Sequence, residues 1–265
     1  MASFITPDGV SIAYDDIAPP QGANRTILLI HGFASNRGEG WRRTGWYGAF
    51  ERRGLRVVAL DQRGHGESAK LYDPGDYARD KLVADAFALL DHLSVGRADV
   101  FGYSMGTRTA LAMALRDPGR VSNLILGGVG GKLRELSPVV AGTPMADAML
   151  ADDPATIKDP MLQSFRQFAD EQGEDRKALA AISEVKNPPF DWDAVGALPM
   201  PVLVVAGAGD SLAGPAEALA RVFPHGKSKT IAGCDHFSAI PHALTKAAVF
   251  DFLDGMMDDD FPAFE

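Results

Sequence analysis

Cysteine and long apolar segments are scarce in this sequence. Cys234 is the single cysteine among 265 residues, so no disulfide can form within the chain. The longest apolar stretches, such as Ile27–Ile30, are far too short to span a bilayer. The segment Met1–Gly9 shows no basic region followed by an apolar one, so no signal peptide is visible. We therefore expect a cytoplasmic protein that does not insert into membranes.

Positive charge is also in short supply. The chain has 26 Lys and Arg against 35 Asp and Glu, which gives a net charge of −9. A phosphate backbone or an anionic membrane surface would not be attracted to such a protein, so we expect neither as the main partner. No cluster of His, Cys, Asp or Glu has the spacing of metal ligands, and we expect no metal and no cofactor. Hydrophobic residues make up 46% of the chain, a value typical of a packed globular protein.

Short apolar runs alternate with longer amphipathic stretches. The runs are Thr26–Ile30, Arg56–Leu60, Asp99–Phe101, Leu124–Leu126 and Pro201–Ala206. Runs that are apolar on both faces are typical of strands in a parallel sheet that helices cover on both sides. The amphipathic stretches predict helices at Tyr77–Leu93, Met105–Arg116 and Pro241–Leu253. Phe4–Ile17 is predicted to form an antiparallel hairpin, and the whole pattern indicates an α/β domain.

One region interrupts this alternation. Residues 131–198 lack strand-like apolar runs and carry helical pieces instead. The simplest interpretation is a helical insertion between two strands of the sheet. We therefore expect a core formed by residues 1–130 and 199–265, with residues 131–198 as a separate helical segment.

A Gly-x-Ser-x-Gly pentapeptide, Gly102–Gly106, lies between a predicted strand and a predicted helix. A serine on so sharp a turn has a strained backbone, and its hydroxyl is presented at the carboxyl edge of the sheet. The glycines are required because side chains at their positions would collide with the neighbouring strand and helix. We predict that Ser104 is a nucleophile.

A serine hydroxyl needs a base within hydrogen-bond reach. His236 follows the strand-like segment Lys229–Ala232 and precedes the last helix, so it lies at the same sheet edge as Ser104. It is therefore our candidate base. For the other five histidines a structural role is the better interpretation; they are His31, His65, His92, His225 and His242.

The histidine in turn needs a carboxylate that fixes its tautomer. Asp210 follows the strand-like run Pro201–Ala206 and is our candidate. Asp235 adjoins His236 in sequence, and its side chain would have difficulty reaching the ring. Asp61 precedes the serine and is interpreted as a residue that organises its loop.

These motifs together resemble those of the α/β-hydrolase fold family. The order Ser104, Asp210, His236 matches the Ser…Asp…His order of that family. His31-Gly32-Phe33 is similar to its His-Gly turn, and Asp61–Ser68 is similar to its Asp-x-Arg-Gly-x-Gly-x-Ser loop. Gly102–Gly106 matches its nucleophile elbow. These landmarks run through nearly the whole chain and occur in the family's order.

The resemblance implies an eight-stranded, mostly parallel sheet flanked by helices, with a small helical lid inserted after the sixth strand. It also implies an oxyanion hole formed by the backbone N–H groups of Phe33 and Met105. The Met105 amide agrees with elementary physics, because N–H groups at a helix start are free and favour negative charge. Tyr103 and Trp192 are the candidate substrate-binding residues.

The expected function is a serine hydrolase that cleaves a small or medium ester, lactone or thioester through an acyl-enzyme, with a small-molecule acyl substrate as partner. Acyl-chain length, leaving group and oligomeric state stay open. Relatives with the same triad cleave carbon–carbon bonds in ring-fission products, usually with Asn where this chain has Tyr103. Others make peroxyacids and often carry little or no lid. A receptor that retains the triad is the alternative that is not an enzyme.

Overall fold

The structure is a computed structural model that describes residues 2–135 and 143–257. These residues form an eight-stranded sheet, whose strands are β1 Ala2–Ile5, β2 Ser11–Ile17, β3 Arg25–Ile30, β4 Leu55–Leu60, β5 Ala98–Tyr103, β6 Val121–Gly127, β7 Val202–Gly207 and β8 Gly226–Ile231. Their order across the sheet is β1-β2-β4-β3-β5-β6-β7-β8. β2 pairs antiparallel with β1 and β4, and the other pairs are parallel. The predicted sheet and opening hairpin are confirmed.

The central strands are buried on both faces. Leu28 and Ile30 of β3 belong to one apolar layer, whereas Ile27 and Leu29 belong to the layer on the opposite face. This division follows from the alternation of side chains along a strand. Every residue of β5 and of β7 is buried. Neither face of these strands meets water, and their sequences are therefore continuous apolar runs.

Helices cover both faces of the sheet. In chain order they are α1 Trp46–Arg52, α2 Arg79–His92, α3 Met105–Arg116, α4 Pro144–Leu150, α5 Pro160–Gln172, α6 Arg176–Ser183, α7 Trp192–Gly196, α8 Ala216–Ala220 and α9 Ala243–Leu253. α1 and α9 pack on the layer that contains Ile27 and Leu29, and α2, α3 and α8 pack on the other. None of the described helices is both long and apolar enough to cross a bilayer. The core thus has three layers, with the sheet in the middle.

The stretch between β6 and β7 is helical in its described part and contains α4 to α7. Each of these helices begins at a side chain that accepts a backbone N–H of the first turn; these caps are Thr143, Asp159, Asp175 and Asp191. Met149, Phe165 and Leu179 pack together with Ala34 of the core. We call residues 143–198 the helical insertion. Residues 136–142 of the predicted segment 131–198 lie outside the described residues.

Glu174, at the corner between α5 and α6, ties the helical insertion to the core. Its carboxylate accepts the backbone N–H of Gly66 at 2.8 Å and the side-chain amide of Asn36 at 3.0 Å. The residue is buried, and burial raises the pKa of its carboxyl group. This corner is therefore held by polar contacts that water does not easily replace.

A buried ion pair joins the loop after β4 to α2. The Arg63 guanidinium donates to both carboxylate oxygens of Asp85, at 2.7 and 2.6 Å, and also to the carbonyl of Asp76. The side chains of Arg63 and Asp85 are only 1% and 3% exposed. Such a pair is costly to break, because the buried Arg63 guanidinium would keep only the exposed carboxylate of Asp8, 3.0 Å away, as an anionic partner.

We therefore predict that Asp85→Ala lowers the free energy of unfolding by about 3 kcal/mol, the lower end of the range for a broken buried pair because Asp8 remains, as measured by urea denaturation. The matched control is Asp16→Ala, which removes the partner of Arg56 in a more exposed pair. Its cost should stay below about 1 kcal/mol. Equal losses in the two variants would contradict the argument from burial.

Candidate active site

Ser104 lies on the turn between β5 and α3 and has an unusual backbone conformation. Its φ is 53° and its ψ is −114°, a region that residues with a side chain rarely adopt. The Ser104 N–H donates to the carbonyl of Gly127 at 2.8 Å, which helps to hold the turn. The hydroxyl is thereby held at the carboxyl edge of the sheet, where the sequence analysis placed it.

The two glycines of the pentapeptide are required for different steric reasons. A Cβ at Gly102 would overlap the backbone of Gly106 and Thr107 in the first turn of α3. A Cβ at Gly106 would overlap the carbonyl groups at the end of β3, those of Ile30 and His31. The helix therefore approaches both neighbouring strands too closely for any side chain at these positions.

His236 and Asp210 meet Ser104 at the same edge of the sheet. His236 Nε2 lies 2.8 Å from Ser104 Oγ, and His236 Nδ1 lies 2.8 Å from Asp210 Oδ2. The second carboxylate oxygen of Asp210 accepts the backbone N–H groups of Leu212 and Ala213. In the tautomer with a proton on Nδ1, the ring donates to Asp210 and can accept the hydroxyl proton of Ser104.

The other acidic candidates make different contacts. Asp235 is exposed, and its Oδ1 accepts the backbone N–H groups of Phe237 and Ser238. Asp61 is fully buried, and its two carboxylate oxygens accept the backbone N–H groups of Arg37 and Glu67. Asp61 thus organises its loop, as the sequence suggested.

The backbone N–H groups of Phe33 and Met105 adjoin Ser104. Met105 is the first residue of α3, and Phe33 follows Gly32, whose Cβ position would lie 3.2 Å from Ser104 Cβ. Among the hydrogen bonds of the described residues, neither amide donates to a protein acceptor. Two free donors beside a hydroxyl can stabilise a negative oxygen that forms there.

Two buried histidines support the loop that contains Phe33. His65 Nε2 accepts the backbone N–H of Ala34 at 3.2 Å, and His31 Nε2 accepts that of Gln62 at 3.0 Å. His31 Nδ1 also lies 2.8 Å from the carbonyl oxygen of Gly32. Both rings accept a backbone proton and must therefore be neutral. The sequence assigned structural roles to them but did not indicate this link to the loop.

Burial lowers the pKa of both imidazoles. It is the largest cause for His65, whose pKa lies well below its ordinary value, and a positive charge on His31 would lower it further. For His31 the nearby carboxylate of Asp61 acts in the opposite direction, and Arg37 and Lys70 act with burial. The net direction is downward for both rings, which keeps them neutral.

Two chambers meet at Ser104. The first has a volume of about 500 Å³ and the second about 380 Å³. Phe33, Ser104, Phe165 and His236 line both of them. The candidate nucleophile therefore lies in a wall that the two chambers share.

The sequence candidates for substrate binding line different chambers. Tyr103 lines the second, and its hydroxyl donates to the carbonyl of His236 at 2.7 Å. Trp192 lines the first, together with Phe190. Within residues 2–135 and 143–257, no three His, Cys, Asp or Glu side chains are grouped so that they could hold a metal ion.

Comparison with known proteins shows which family has this fold and site. The model of the α/β-hydrolase fold matches residues 25–159, half of the chain. A 2-hydroxymuconate semialdehyde hydrolase of Pseudomonas putida is 30% identical over 245 residues, and the alignment covers 84% of each chain. The protein belongs to the α/β-hydrolase fold family.

Two further proteins resemble this chain over different shares of their length. A dihydrolipoyllysine-residue acetyltransferase component of an acetoin cleaving system, also from Pseudomonas putida, is 34% identical over 70% of this chain, but the alignment spans only 52% of that relative. The crystal structure of the enol-lactonase from Burkholderia xenovorans LB400 superposes with a TM-score of 0.74 at 20% identity, covering 96% of this chain and all of that one. This second likeness supports the fold.

The neutral histidine pair predicts a loss of stability in mild acid. Both folded-state pKa values lie below the unfolded value, so below about pH 6.5 the unfolded chain takes up protons that the folded chain does not. The free energy of unfolding should then fall as the pH decreases from 6.5 towards 5. Each ring contributes up to about 1.4 kcal/mol per pH unit. Urea denaturation across this range measures the slope.

His65→Gln keeps an acceptor for Ala34 but removes one titrating group, so its slope should be smaller by about that amount. The matched control is His225→Gln, because His225 is exposed; its slope should equal that of the native protein. A native slope retained in His65→Gln would contradict the assignment.

Proposed function

We propose that the protein is a serine hydrolase that cleaves a small or medium carboxylic ester, lactone or thioester through an acyl-enzyme. One observation carries the proposal: Ser104 Oγ lies 2.8 Å from His236 Nε2, on the wall between two chambers that can hold the two sides of a scissile bond. The Asp210 contact to the same ring supports it. The proposal rests on this geometry together with family membership.

In the first half of the reaction, Ser104 Oγ attacks the acyl carbonyl while His236 Nε2 accepts the hydroxyl proton. Asp210 holds the ring in the required tautomer and stabilises the imidazolium. The carbonyl oxygen becomes an oxyanion beside the N–H groups of Phe33 and Met105. The bond to the leaving group then breaks, and His236 donates its proton to that group.

In the second half, water attacks the acyl-enzyme and transfers a proton to His236. The bond between Ser104 and the acyl carbon breaks, and the proton returns to Ser104 Oγ. The carboxylic acid product then leaves. All proton transfers pass through one imidazole, so no cofactor is required.

We further propose that residues 131–198 act as a lid on a core formed by residues 1–130 and 199–265. Met145, Met161 and Phe165 of the helical insertion line the first chamber, and Phe168 lines the second. A lid that excludes water would strengthen every electrostatic contact at the site. We also propose that the enzyme acts in the cytoplasm, because its single cysteine is buried and unpaired.

Carbon–carbon bond hydrolysis of a ring-fission product is the second candidate. The 2-hydroxymuconate semialdehyde hydrolase that aligns with 84% of the chain favours it. Tyr103, where such enzymes usually have Asn, weighs against it, because its hydroxyl is occupied by the carbonyl of His236. Peroxyacid formation is disfavoured by the helical insertion, and a receptor role by the complete set of proton-transfer groups.

The proposed nucleophile can be tested by covalent labelling. We predict that a fluorophosphonate probe labels the native protein but not Ser104→Ala, because phosphonylation requires the activated hydroxyl. The matched control is Ser164→Ala, since Ser164 lines the second chamber but has no histidine partner among the described residues. It should be labelled like the native protein. Labelling that persists in Ser104→Ala would refute the assignment.

Asp210→Asn should lower kcat for p-nitrophenyl pentanoate by about 10⁴-fold, the loss seen for the equivalent substitution in another Ser-His-Asp enzyme. The control is Asp235→Asn. Asp235 adjoins His236 in sequence and contacts only its own loop among the described residues, so this variant should retain native kcat.

Including a ring-fission diketone in the assay separates the two candidate reactions. A larger kcat/KM for the diketone than for any ester would favour the second.

A further inference from the structure

The first chamber has a charge opposite to that of the protein. Its charged lining residues, among those that the structure describes, are Arg79, Arg108 and Arg134, with no Asp or Glu. The chain as a whole has a net charge of −9. Positive charge is therefore concentrated in the cavity that contains Ser104, where it favours an anion.

Two of these arginines already have partners. The Arg79 guanidinium donates to the carbonyl of Pro188 at 2.6 Å and lies 4.0 Å over the ring of Phe190. Arg134 lies 5.6 Å over the ring of Trp192. These contacts hold both cations against the chamber wall.

Arg108 differs from them because it has no partner within the part of the chain that the structure describes. Among the described residues, no hydrogen bond, ion pair or ring contact involves its guanidinium. The side chain is accessible from the chamber, yet the surrounding protein atoms and the positive charge of Arg79 lower its pKa. An exposed guanidinium on the chamber wall that no carboxylate of the described residues compensates favours an anionic ligand.

Arg108 lies one helical turn away from Ser104. Ser104 immediately precedes α3, and Arg108 follows one turn later on the same face of the helix. Four residues of helix span about 6 Å, and helical side chains lean towards the N-terminus. The guanidinium is therefore within reach of a group a few bonds away from the carbonyl that Ser104 attacks.

The second chamber does not offer the same environment. Its charged lining residues include Glu39 and Glu171, and its Arg43 is paired with Glu39 at 2.7 Å. An anion there would meet carboxylates and, among the residues that the structure describes, no cation without an acidic partner. The two sides of the site thus differ in the charge that they accept.

We infer that the substrate carries a free carboxylate, which binds Arg108 in the first chamber, while the part across the scissile bond lies in the second chamber. This inference rests on the proposed function and defines its substrate class as a half-ester of a dicarboxylic acid, a lactone acid or an ester of a hydroxy acid. The planar guanidinium matches a carboxylate, because it can donate two parallel hydrogen bonds. Arg108 would then be the residue that determines specificity.

The test compares the carboxylate esters mono-p-nitrophenyl glutarate and 4-carboxyphenyl pentanoate with their neutral counterparts, p-nitrophenyl pentanoate and phenyl pentanoate. The first carries its carboxylate on the acyl side and the second on the leaving group. For one of them, the ratio of kcat/KM to that of its neutral counterpart should fall about 10- to 100-fold in Arg108→Met. Arg108→Lys should retain part of the preference. The pair that responds identifies which side of the substrate the first chamber holds.

The matched control is Arg116→Met, at the exposed end of the same helix and outside both chambers. It should leave all four kcat/KM values unchanged. Ratios that are equal in the native protein and in Arg108→Met for both carboxylate esters would overturn the inference. Absence of any Ser104-dependent cleavage of the neutral esters would instead refute the proposed function.

A binding measurement gives an answer that does not depend on turnover. Ser104→Ala is titrated calorimetrically with monomethyl glutarate and, separately, with 4-carboxyphenyl pentanoate. For at least one of the two, the Kd should be about 10- to 100-fold lower than in the Ser104→Ala, Arg108→Met double variant. Equal Kd values in the two proteins for both ligands would overturn the inference even if the enzyme cleaves neutral esters.

Discussion

The site depends on one steric constraint, the close approach of α3 to the end of β3. At Gly106 the helix backbone lies against the carbonyls of Ile30 and His31, and at Gly102 the preceding strand lies against the helix. This packing leaves a turn so tight that Ser104 takes a positive φ. The same contact brings Gly32 beside the serine. Ser104, the amides of Phe33 and Met105 and the start of the first chamber are thus positioned by a single backbone contact, and Asp210 and His236 are brought to it by the ends of β7 and β8.

Much of this could be predicted because a parallel sheet brings the carboxyl ends of its strands to one edge. Ser104 and Asp210 each follow a strand whose apolar run is visible in the sequence, and His236 follows the strand-like segment Lys229–Ala232, so their proximity follows from topology. The short helices α1 and α8 were missed, because seven and five residues show too little periodicity. The start of β8 was also missed, since this edge strand includes half-buried Lys227 and exposed Lys229 instead of an apolar run.

Other features depend on side-chain surroundings that no motif encodes. The sequence marks His65 as part of a Gly-rich loop, but the bond to the Ala34 amide exists only because β3 and β4 are neighbours. Arg108 looks like any polar residue on an amphipathic helix. The sequence does not show that Arg108 lines a cavity together with the helical insertion, or that it has no partner among the described residues. The role of a charged residue in this protein therefore depends on its neighbours, whereas the net charge argued only against a phosphate backbone or an anionic membrane surface as the main partner.

The Glu174 corner has a consequence for how a molecule enters the site. Its carboxylate accepts hydrogen bonds from Gly66 and Asn36, and lifting this corner away would break both of them. We therefore expect this corner to move least when the surrounding helices move. Substrate would then enter, and product leave, at the part of the helical insertion that lies away from Glu174. The rates of substrate binding and product release should therefore respond more to substitutions there than to substitutions near Glu174.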